Sequence, residues 1–356
     1  MEVRKIQNTA SGSYFITLPK PWVTDKDVNK GEELVISIDE DGALKINPLK
    51  NQKKYYNEFI IQIEDYPEKN SLERCINSCY IQGADLITIL SKSTIAVEKK
   101  NLIEKTTANL IGTEVSEEFS NKISIRILVD PTRFPLANLI KRIYTLVSSM
   151  HGDAMKSFSE KDELLAKDVI NRARQVDKLF FLMLRQLNLS LSNRLSFEDI
   201  CTSNIKLDCI LGIVLARDLS KMAHYAVEIA NQSLKLLEKD VFPELKEHLI
   251  RMSRFIIKMQ QNAILAFFKN DFMRANKVIN SKDDVIQFDS KTENEVLKNI
   301  TDSSTIITLI TISRNLRNIA NSAVDVSEDL QVKHRPKTTV KRELGSDELL
   351  DPLQLI

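Results

Sequence analysis

The chain has 356 residues, 43% of them hydrophobic and 28% charged, which is typical of a folded globular protein and excludes a fully disordered one. Lysine and arginine total 50 against 49 aspartate and glutamate, so any nucleic-acid surface must be local rather than a property of the whole chain. The apolar runs at 209–216 and 305–312 are too short to span a bilayer, and MEVRKIQN lacks the apolar core of a signal peptide. These features predict a cytoplasmic protein without membrane insertion.

The first 50 residues predict a small β domain. A short helix is expected after Pro19, and a Glu-Asp-Gly turn at 40–42 joins the last two strands. The predicted strands are 3–7, 14–18, 33–38 and 43–46. Strands this short cannot bury a core alone, because isolated hairpins are only marginally stable in water. The segment therefore needs another surface against which its apolar side chains can pack.

Residues 51–132 alternate between strand and helix patterns, which predicts a small α/β domain. The predicted strands are 58–63, 85–90, 114–120 and 123–129, and the predicted helices are 71–83 and 97–112. The four cysteines are scattered at 75, 79, 201 and 209, a distribution that favours a reducing compartment. Cys75 and Cys79 are interpreted as small core residues, since no histidine pair lies nearby to complete a metal site.

From residue 133 the chain becomes helical in pattern and almost free of glycine, which predicts a helical bundle. The pattern then repeats. VIN at 169–171 recurs at 278–280, an offset of 109, and RDLSKMAHYAVEIA at 217 matches RNLRNIANSAVDVS at 314, an offset of 97. The difference of 12 residues is assigned to extra loop in the first repeat, LSLSNRLSFEDICTS. We predict three-helix repeats at 133–240 and 241–332, followed by a flexible tail at 333–356.

The predicted fold class is therefore multidomain, with a small swapped-hairpin β domain, a small α/β linker domain and an all-α tandem three-helix bundle. The third-helix segments ARDLSKMAHYAVEIA and SRNLRNIANSAVDVS resemble the PhoU phosphate-signalling family. Residues 1–48 resemble an AbrB-type DNA-binding domain. This order of domains is similar to that of archaeal PhoU-type phosphate uptake regulators, and the resemblance covers the chain except its tail.

The AbrB resemblance answers the question about the first segment. In that family, hairpins from two chains interleave into one barrel, so dimerisation is a condition of folding. The residues expected to supply this chain's half are Phe15, Ile16, Leu18, Trp22, Val23, Leu34, Val35, Ile36, Ile38, Leu44 and Ile46.

The family's first strand and following loop face DNA. The corresponding candidates here are Arg4, Lys5, Gln7, Asn8, Thr9, Ser11 and Ser13, with Lys20 beyond the second strand. Lysine and arginine would neutralise phosphates, and the neutral side chains would donate to phosphates or base edges. The alternative is that Arg4 and Lys5 are an ordinary charged strand edge that prevents aggregation.

The PhoU resemblance implies Glu-x-x-x-Asp on the third helix of each repeat, a spacing that can hold hard cations or iron. This sequence departs from that pattern. The first repeat has Ser220 and His224, and the second has Arg317 and Asn321. On the second helices, the acidic residues near the expected metal position are Asp177 in the first repeat and Asp283 and Asp284 in the second. We predict no metal and no cofactor, although His224 with Glu228 could still bind one metal weakly.

Enzyme signatures are absent from the sequence: there is no Walker A loop, dinucleotide glycine fingerprint, G-x-S-x-G or H-E-x-x-H motif. We therefore predict a non-enzymatic, DNA-binding transcriptional regulator of phosphate uptake or homeostasis. Its expected partners are DNA, a second copy of the chain and a phosphate transporter component or sensor protein. The alternatives are a PhoU-like signalling adaptor whose first domain only dimerises, and a metal-binding regulator.

Overall fold

The computed structural model describes residues 3–9, 12–38, 42–48, 56–201 and 206–333. The chain divides into two compact units, residues 1–56 and 57–356, which are described here separately. Ser11, the turn residues at 40 and 41, and the predicted tail from 334 onward lie outside the described residues.

The first unit contains two separate antiparallel strand pairs and one short helix. Its elements are β1 (Gln7–Asn8), β2 (Tyr14–Phe15), α1 (Lys20–Asp25), β3 (Leu34–Ile38) and β4 (Leu44–Pro48). The helix predicted after Pro19 is confirmed. It begins there because proline fixes φ at a value suited to a helix start. β1 and β2 are much shorter than predicted, because residues 3–6 and 16–18 pair with no described strand of this chain.

The second unit begins with a four-stranded sheet in the order β5-β6-β8-β7, which confirms the predicted α/β layer. Its elements are β5 (Glu58–Gln62), α2 (Ser71–Ile81), β6 (Leu86–Leu90), α3 (Val97–Ala108), β7 (Thr113–Glu118) and β8 (Lys122–Ile127). β5 runs parallel to β6, and the other pairs are antiparallel. The β-branched central strands pair Ile87 with Ile125 and Ile89 with Ile123, all fully or nearly fully buried. Cys79 is buried with them and Cys75 packs against the same core, as predicted.

The rest of the described chain is a helical bundle with the predicted internal repeat. The first repeat contains α4 (Leu136–Glu160), α5 (Glu163–Leu191), the short α6 (Phe197–Ile200) and α7 (Lys206–Lys235). The second contains α8 (Pro243–Lys269), α9 (Phe272–Asn280), α10 (Lys282–Asn299) and α11 (Ser303–Asp329). α9 and α10 together correspond to α5, interrupted at Ser281. The apolar stripes of these helices form one continuous core.

The turns between the first two helices show the duplication most directly. Lys161 and Asn270, 109 residues apart, both adopt left-handed backbone conformations with φ of 56° and 50°. The next residue in each repeat caps the following helix. Asp162 accepts the N–H of Leu165 at 2.9 Å, and Asp271 accepts that of Arg274 at 3.0 Å. The repeat offset read from the sequence is thus reproduced in the backbone geometry.

The segment between α5 and α7 corrects two sequence expectations. Part of the supposed extra loop, through Leu191, extends α5, and α6 occupies another part of it. The cysteines are also not all separate, because Cys201 and Cys209 form a disulfide with their Cα atoms 6.0 Å apart. Residues eight apart in a regular helix or strand would be about 12 or 26 Å from one another, so the sequence did not predict this contact.

Within the second unit, polar contacts join the α/β layer to α5 and to the segment that follows it. Arg194 donates to the carbonyl of Gly83 and to Asp85, both at 2.6 Å. Asp85 also accepts the backbone N–H of Asn57 at 2.8 Å, at the start of β5. The buried Arg185 donates to the carbonyl of Tyr80 at 2.8 Å and stacks on its ring. These charge-assisted bonds fix the sheet against the bundle.

A buried polar contact joins the two helical repeats. His151 on α4 and Gln260 on α8 are separated by the repeat offset, and Nδ1 of His151 lies 3.1 Å from Oε1 of Gln260. The other ring nitrogen lies 3.1 Å from the hydroxyl of Ser253. Because the Gln260 oxygen can only accept, Nδ1–H is the donor and Nε2 accepts from Ser253. Complete burial of this neutral imidazole lowers the pKa of His151 to about 4, against an opposing effect of the Gln260 hydrogen bond.

The unfolding free energy is therefore expected to depend on pH through His151. The folded-state pKa lies below the unfolded one, so the unfolded state binds more protons between pH 4 and 6.5. This contribution is complete above about pH 6.5 and disappears as the pH falls to about 4, a change of about 3 kcal/mol. Urea unfolding across this range should show a shallower pH dependence for His151→Gln. Parallel curves for His151→Gln and wild type would contradict the assignment.

Candidate nucleic-acid interface and helical-repeat sites

Four of the predicted DNA-contacting residues, Gln7, Asn8, Thr9 and Ser13, lie on one hairpin. Gln7 pairs with Phe15, and Asn8 pairs with Tyr14. In the connecting turn, the Thr9 hydroxyl donates to the Ser13 carbonyl at 3.2 Å and accepts the Ser13 N–H at 3.1 Å. Gly12, at φ 86°, provides the left-handed conformation that the turn requires. This arrangement brings four of the neutral candidates together at the exposed end of one hairpin.

The basic candidates flank that hairpin in the sequence. Arg4 and Lys5 precede β1 and are exposed, and Lys20 is the exposed first residue of α1. Side chains of residues 1–23 carry three cations against one anion, Glu2, so the segment has a net charge of +2. Two copies would double this charge.

The first unit leaves most of its apolar side chains exposed. Of its described residues with a burial assignment, Pro48 alone is buried. Ile36 is 62% exposed, and Ile38 and Leu44, directly opposite one another on β3 and β4, are 75% and 64% exposed. A contiguous apolar surface of this kind is unusual on a domain that works alone.

The second and third helices of the first repeat meet around Asp177. Its Oδ1 lies 3.7 Å from Nε2 of His224, and Ser220 donates a hydrogen bond to it. Partial burial raises the pKa of Asp177, while His224 and the Ser220 hydrogen bond act in the opposite direction. One turn further along α7, Glu228 accepts a hydrogen bond from Gln232.

The equivalent position in the second repeat is built differently. Asp289 on α10 is 2% exposed, and Ser313 on α11 donates to its Oδ1 at 2.6 Å. Arg317, which corresponds to Ser220, donates to Oδ2 of the same carboxylate at 2.8 Å. Both carboxylate oxygens are therefore occupied by groups of the protein.

Sequence reasoning missed Asp289 and chose Asp283 and Asp284 instead. Those two residues lie in the exposed first turn of α10. The helical period contained the missing signal. Val285, Asp289, Thr292 and Val296 form the buried stripe of α10, at intervals of four, three and four residues. A carboxylate within that stripe must face a neighbouring helix and requires a polar partner there.

Comparisons with known proteins agree with this architecture. The model of the PhoU domain matches residues 140–233 and 249–330, and that of the antidote-toxin recognition MazE domain of bacterial antitoxins matches residues 7–54. The chain carries a tandem PhoU domain. It is preceded by a MazE/AbrB-like domain.

Two solved PhoU structures are similar to part of this chain. PhoU from Pseudomonas aeruginosa is 18% identical, covering 55% of this chain and 93% of that chain with a TM-score of 0.49. The phosphate transport system regulatory protein PhoU from Streptococcus pneumoniae is 18% identical, covering 55% and 91% with a TM-score of 0.47. The archaeal type stays a prediction. No curated protein matches the chain significantly.

Metal ligands do not converge at the two PhoU positions. Within the described ranges, no group of three or more histidine, cysteine or acidic residues is arranged to hold a metal ion. A hard cation needs several oxygen ligands, whereas Asp289 is already bound by Ser313 and Arg317. The residues therefore do not fit the metal that the PhoU resemblance implies.

Among the described residues, none of the helices combines the length and the apolar character of a membrane-spanning segment.

Protein purified without chelator is accordingly expected to contain iron, zinc or manganese far below a stoichiometric amount. His224 offers one nitrogen next to one carboxylate, too few ligands for tight binding. Elemental analysis of wild type and His224→Ala checks this expectation. A stoichiometric metal that disappears in His224→Ala would contradict it.

Proposed function

We propose that the protein is a dimeric, non-enzymatic DNA-binding regulator of phosphate uptake or homeostasis. The MazE/AbrB-like domain binds DNA, and the tandem PhoU domain senses or relays phosphate status. Both domain families are regulatory, which supports this assignment.

The exposed apolar surface of the first unit carries the proposal. A domain whose strands leave Ile36, Ile38 and Leu44 in water is unstable as a single copy. Burying these side chains against the same strands of a second copy removes the apolar surface from water. Self-association through this surface makes the protein a dimer and presents its two hairpins together.

The DNA contact is assigned to the hairpin of β1 and β2. Arg4, Lys5 and Lys20 supply positive charge for the phosphates. Gln7, Asn8, Thr9, Ser11 and Ser13 supply neutral donors and acceptors for phosphates or base edges. In a dimer, two such hairpins would contact two half-sites.

The PhoU repeats supply the phosphate connection and the protein partner. We assign to them a transporter component or a sensor protein of the phosphate system. Phosphate status would then reach DNA through the dimer rather than through catalysis.

Genome-wide mapping of bound DNA tests the proposal directly. Enrichment beside phosphate-transport genes, lost on deletion of residues 1–48, is the expected result. Absence of salt-sensitive binding to any duplex would instead support the adaptor, in which the first domain only dimerises. The purified full-length chain should be tested on the same duplexes, so that a missing partner in the cell is not mistaken for missing affinity.

A further inference from the structure

We propose that Arg317 is a built-in cation of the second PhoU repeat, occupying with its guanidinium the position where a metal-binding repeat would hold its ion. The proposal concerns the chemistry of the repeat and does not depend on DNA binding.

The geometry around Asp289 assigns this role. The carboxylate is 2% exposed and lies between α10 and α11, where an unpaired charge would be strongly unfavourable. Arg317 reaches it from α11 with Nη1 2.8 Å from Oδ2, while Ser313 occupies Oδ1. The Arg317 side chain is 44% exposed and that of Asp289 is 3% exposed, so the carboxylate is the more desolvated partner of the pair.

The first repeat shows what the same position looks like without a permanent cation. Each repeat presents one aspartate from the second helix to the third, Asp177 to Ser220 and His224 in the first repeat and Asp289 to Ser313 and Arg317 in the second, one turn apart by the repeat offset. The third-helix position that both aspartates adjoin is the one to compare. That position is Ser220 in the first repeat and Arg317 in the second, by the offset of 97. Asp177 is next to His224 at 3.7 Å, and burial raises its pKa. The two repeats therefore neutralise a buried or partly buried aspartate of the second helix in different ways.

A fixed guanidinium differs from a metal ion in its consequences. Arginine stays protonated at every physiological pH, so the site is neutralised without a ligand from solution. The guanidinium binds the carboxylate through directed hydrogen bonds, whereas a hard cation such as Ca²⁺ needs six or more oxygen ligands around it. The second repeat should then be folded and stable independently of metal supply.

A double-mutant cycle tests the pairing. Arg317→Met keeps the aliphatic stem but removes the charge, and is expected to lower the Tm by about 3–10 °C because Asp289 stays buried without its cation. Asp289→Asn should also lower it. The double variant should fall no further than the worse single variant, since the two residues act on one interaction.

The neighbouring pair provides a matched control. Arg314 contacts Glu293 at 3.3 Å, also between α11 and α10, but both side chains are well exposed at 62% and 38%. Arg314→Met removes the same charge one turn earlier on the same helix. Its Tm should change by less than about 2 °C, as for an exposed ion pair.

A gain-of-metal variant tests the position itself. Arg317→Glu combined with Asn321→Asp places two carboxylates one turn apart on α11, the first of them at the residue that contacts Asp289, an arrangement suited to a hard cation. Manganese should raise the Tm of this variant by several degrees, reversibly with EDTA, and leave the Tm of the wild type unchanged. Stabilisation of the wild type by manganese, additive effects in the cycle, or a variant that folds but ignores manganese would each overturn the proposal. The cycle decides the question if the gain-of-metal variant does not fold.

Discussion

Ile36→Asp is expected to weaken self-association of the full chain by roughly 100-fold or more. Ile36 lies on β3 opposite Ile46 and is 62% exposed in the single chain. Burial of one isoleucine contributes about 1.5–3 kcal/mol, and each dimer contains two copies of the position. An aspartate there would also bring charge into an apolar contact, at further cost. Sedimentation velocity across a dilution series measures the change.

The control for this substitution is Ile60→Asp on β5. Ile60 is equally exposed at 63% but belongs to the second unit. It adds the same charge at the same exposure, and should leave the dimer intact. Deletion of residues 1–48 should weaken self-association as Ile36→Asp does, with the helical repeats still folded by circular dichroism. Trp22 offers a second readout, because its emission should shift to the red on dilution to monomer. A deletion variant that remains a dimer would show that the helical repeats drive assembly.

The elements best predicted from the sequence are those whose signals are local and repeated. The helices α4, α5, α7 and α8 follow from a regular apolar period, and the repeat offset of 109 was confirmed by the paired turns at Lys161 and Asn270. The central strands β6 and β8 were equally clear, because runs rich in isoleucine are buried on a sheet. In each case the residue type and its neighbours along the chain determine the structure.

Features that depend on contacts between distant segments were predicted poorly. The helical period of α10 indicates that Asp289 is buried, but not its partners, Ser313 and Arg317, which are 24 and 28 residues away. The disulfide of Cys201 and Cys209 joins the residue that follows α6 to the first turn of α7. β1 and β2 were predicted too long, since strand propensity cannot show whether a pairing partner exists within the same chain. Four neutral residues predicted to contact DNA lie on one hairpin, and the contacts of all the candidates with DNA stay a prediction.

Replacement of Arg4 and Lys5 by alanine is expected to weaken DNA binding at every sequence and to flatten its salt dependence. Each phosphate contact contributes roughly 0.9 to the slope of log affinity against log salt concentration. Two contacts per chain in a two-chain site therefore predict a slope smaller by about 3 to 4 units. Lys26→Ala with Lys30→Ala removes the same charge from the same unit but outside the predicted DNA-contacting residues. It should keep the wild-type slope, apart from a small long-range effect at low salt.

Asn8→Ala should behave differently, because an amide that reads a base edge contributes sequence preference rather than charge. The expected loss is about 1–3 kcal/mol at one position of the binding site, with little change in the salt slope. Salt titrations of the wild type and the three variants, on the preferred duplex and on single-base changes of it, separate the two effects. If the Arg4/Lys5 variant keeps the wild-type slope of log affinity against log salt concentration, these residues do not contact phosphates. Lys20 is then the next candidate for the phosphate contact. If Asn8→Ala weakens all duplexes equally, its amide contacts the backbone, and the preference must come from another residue of the hairpin.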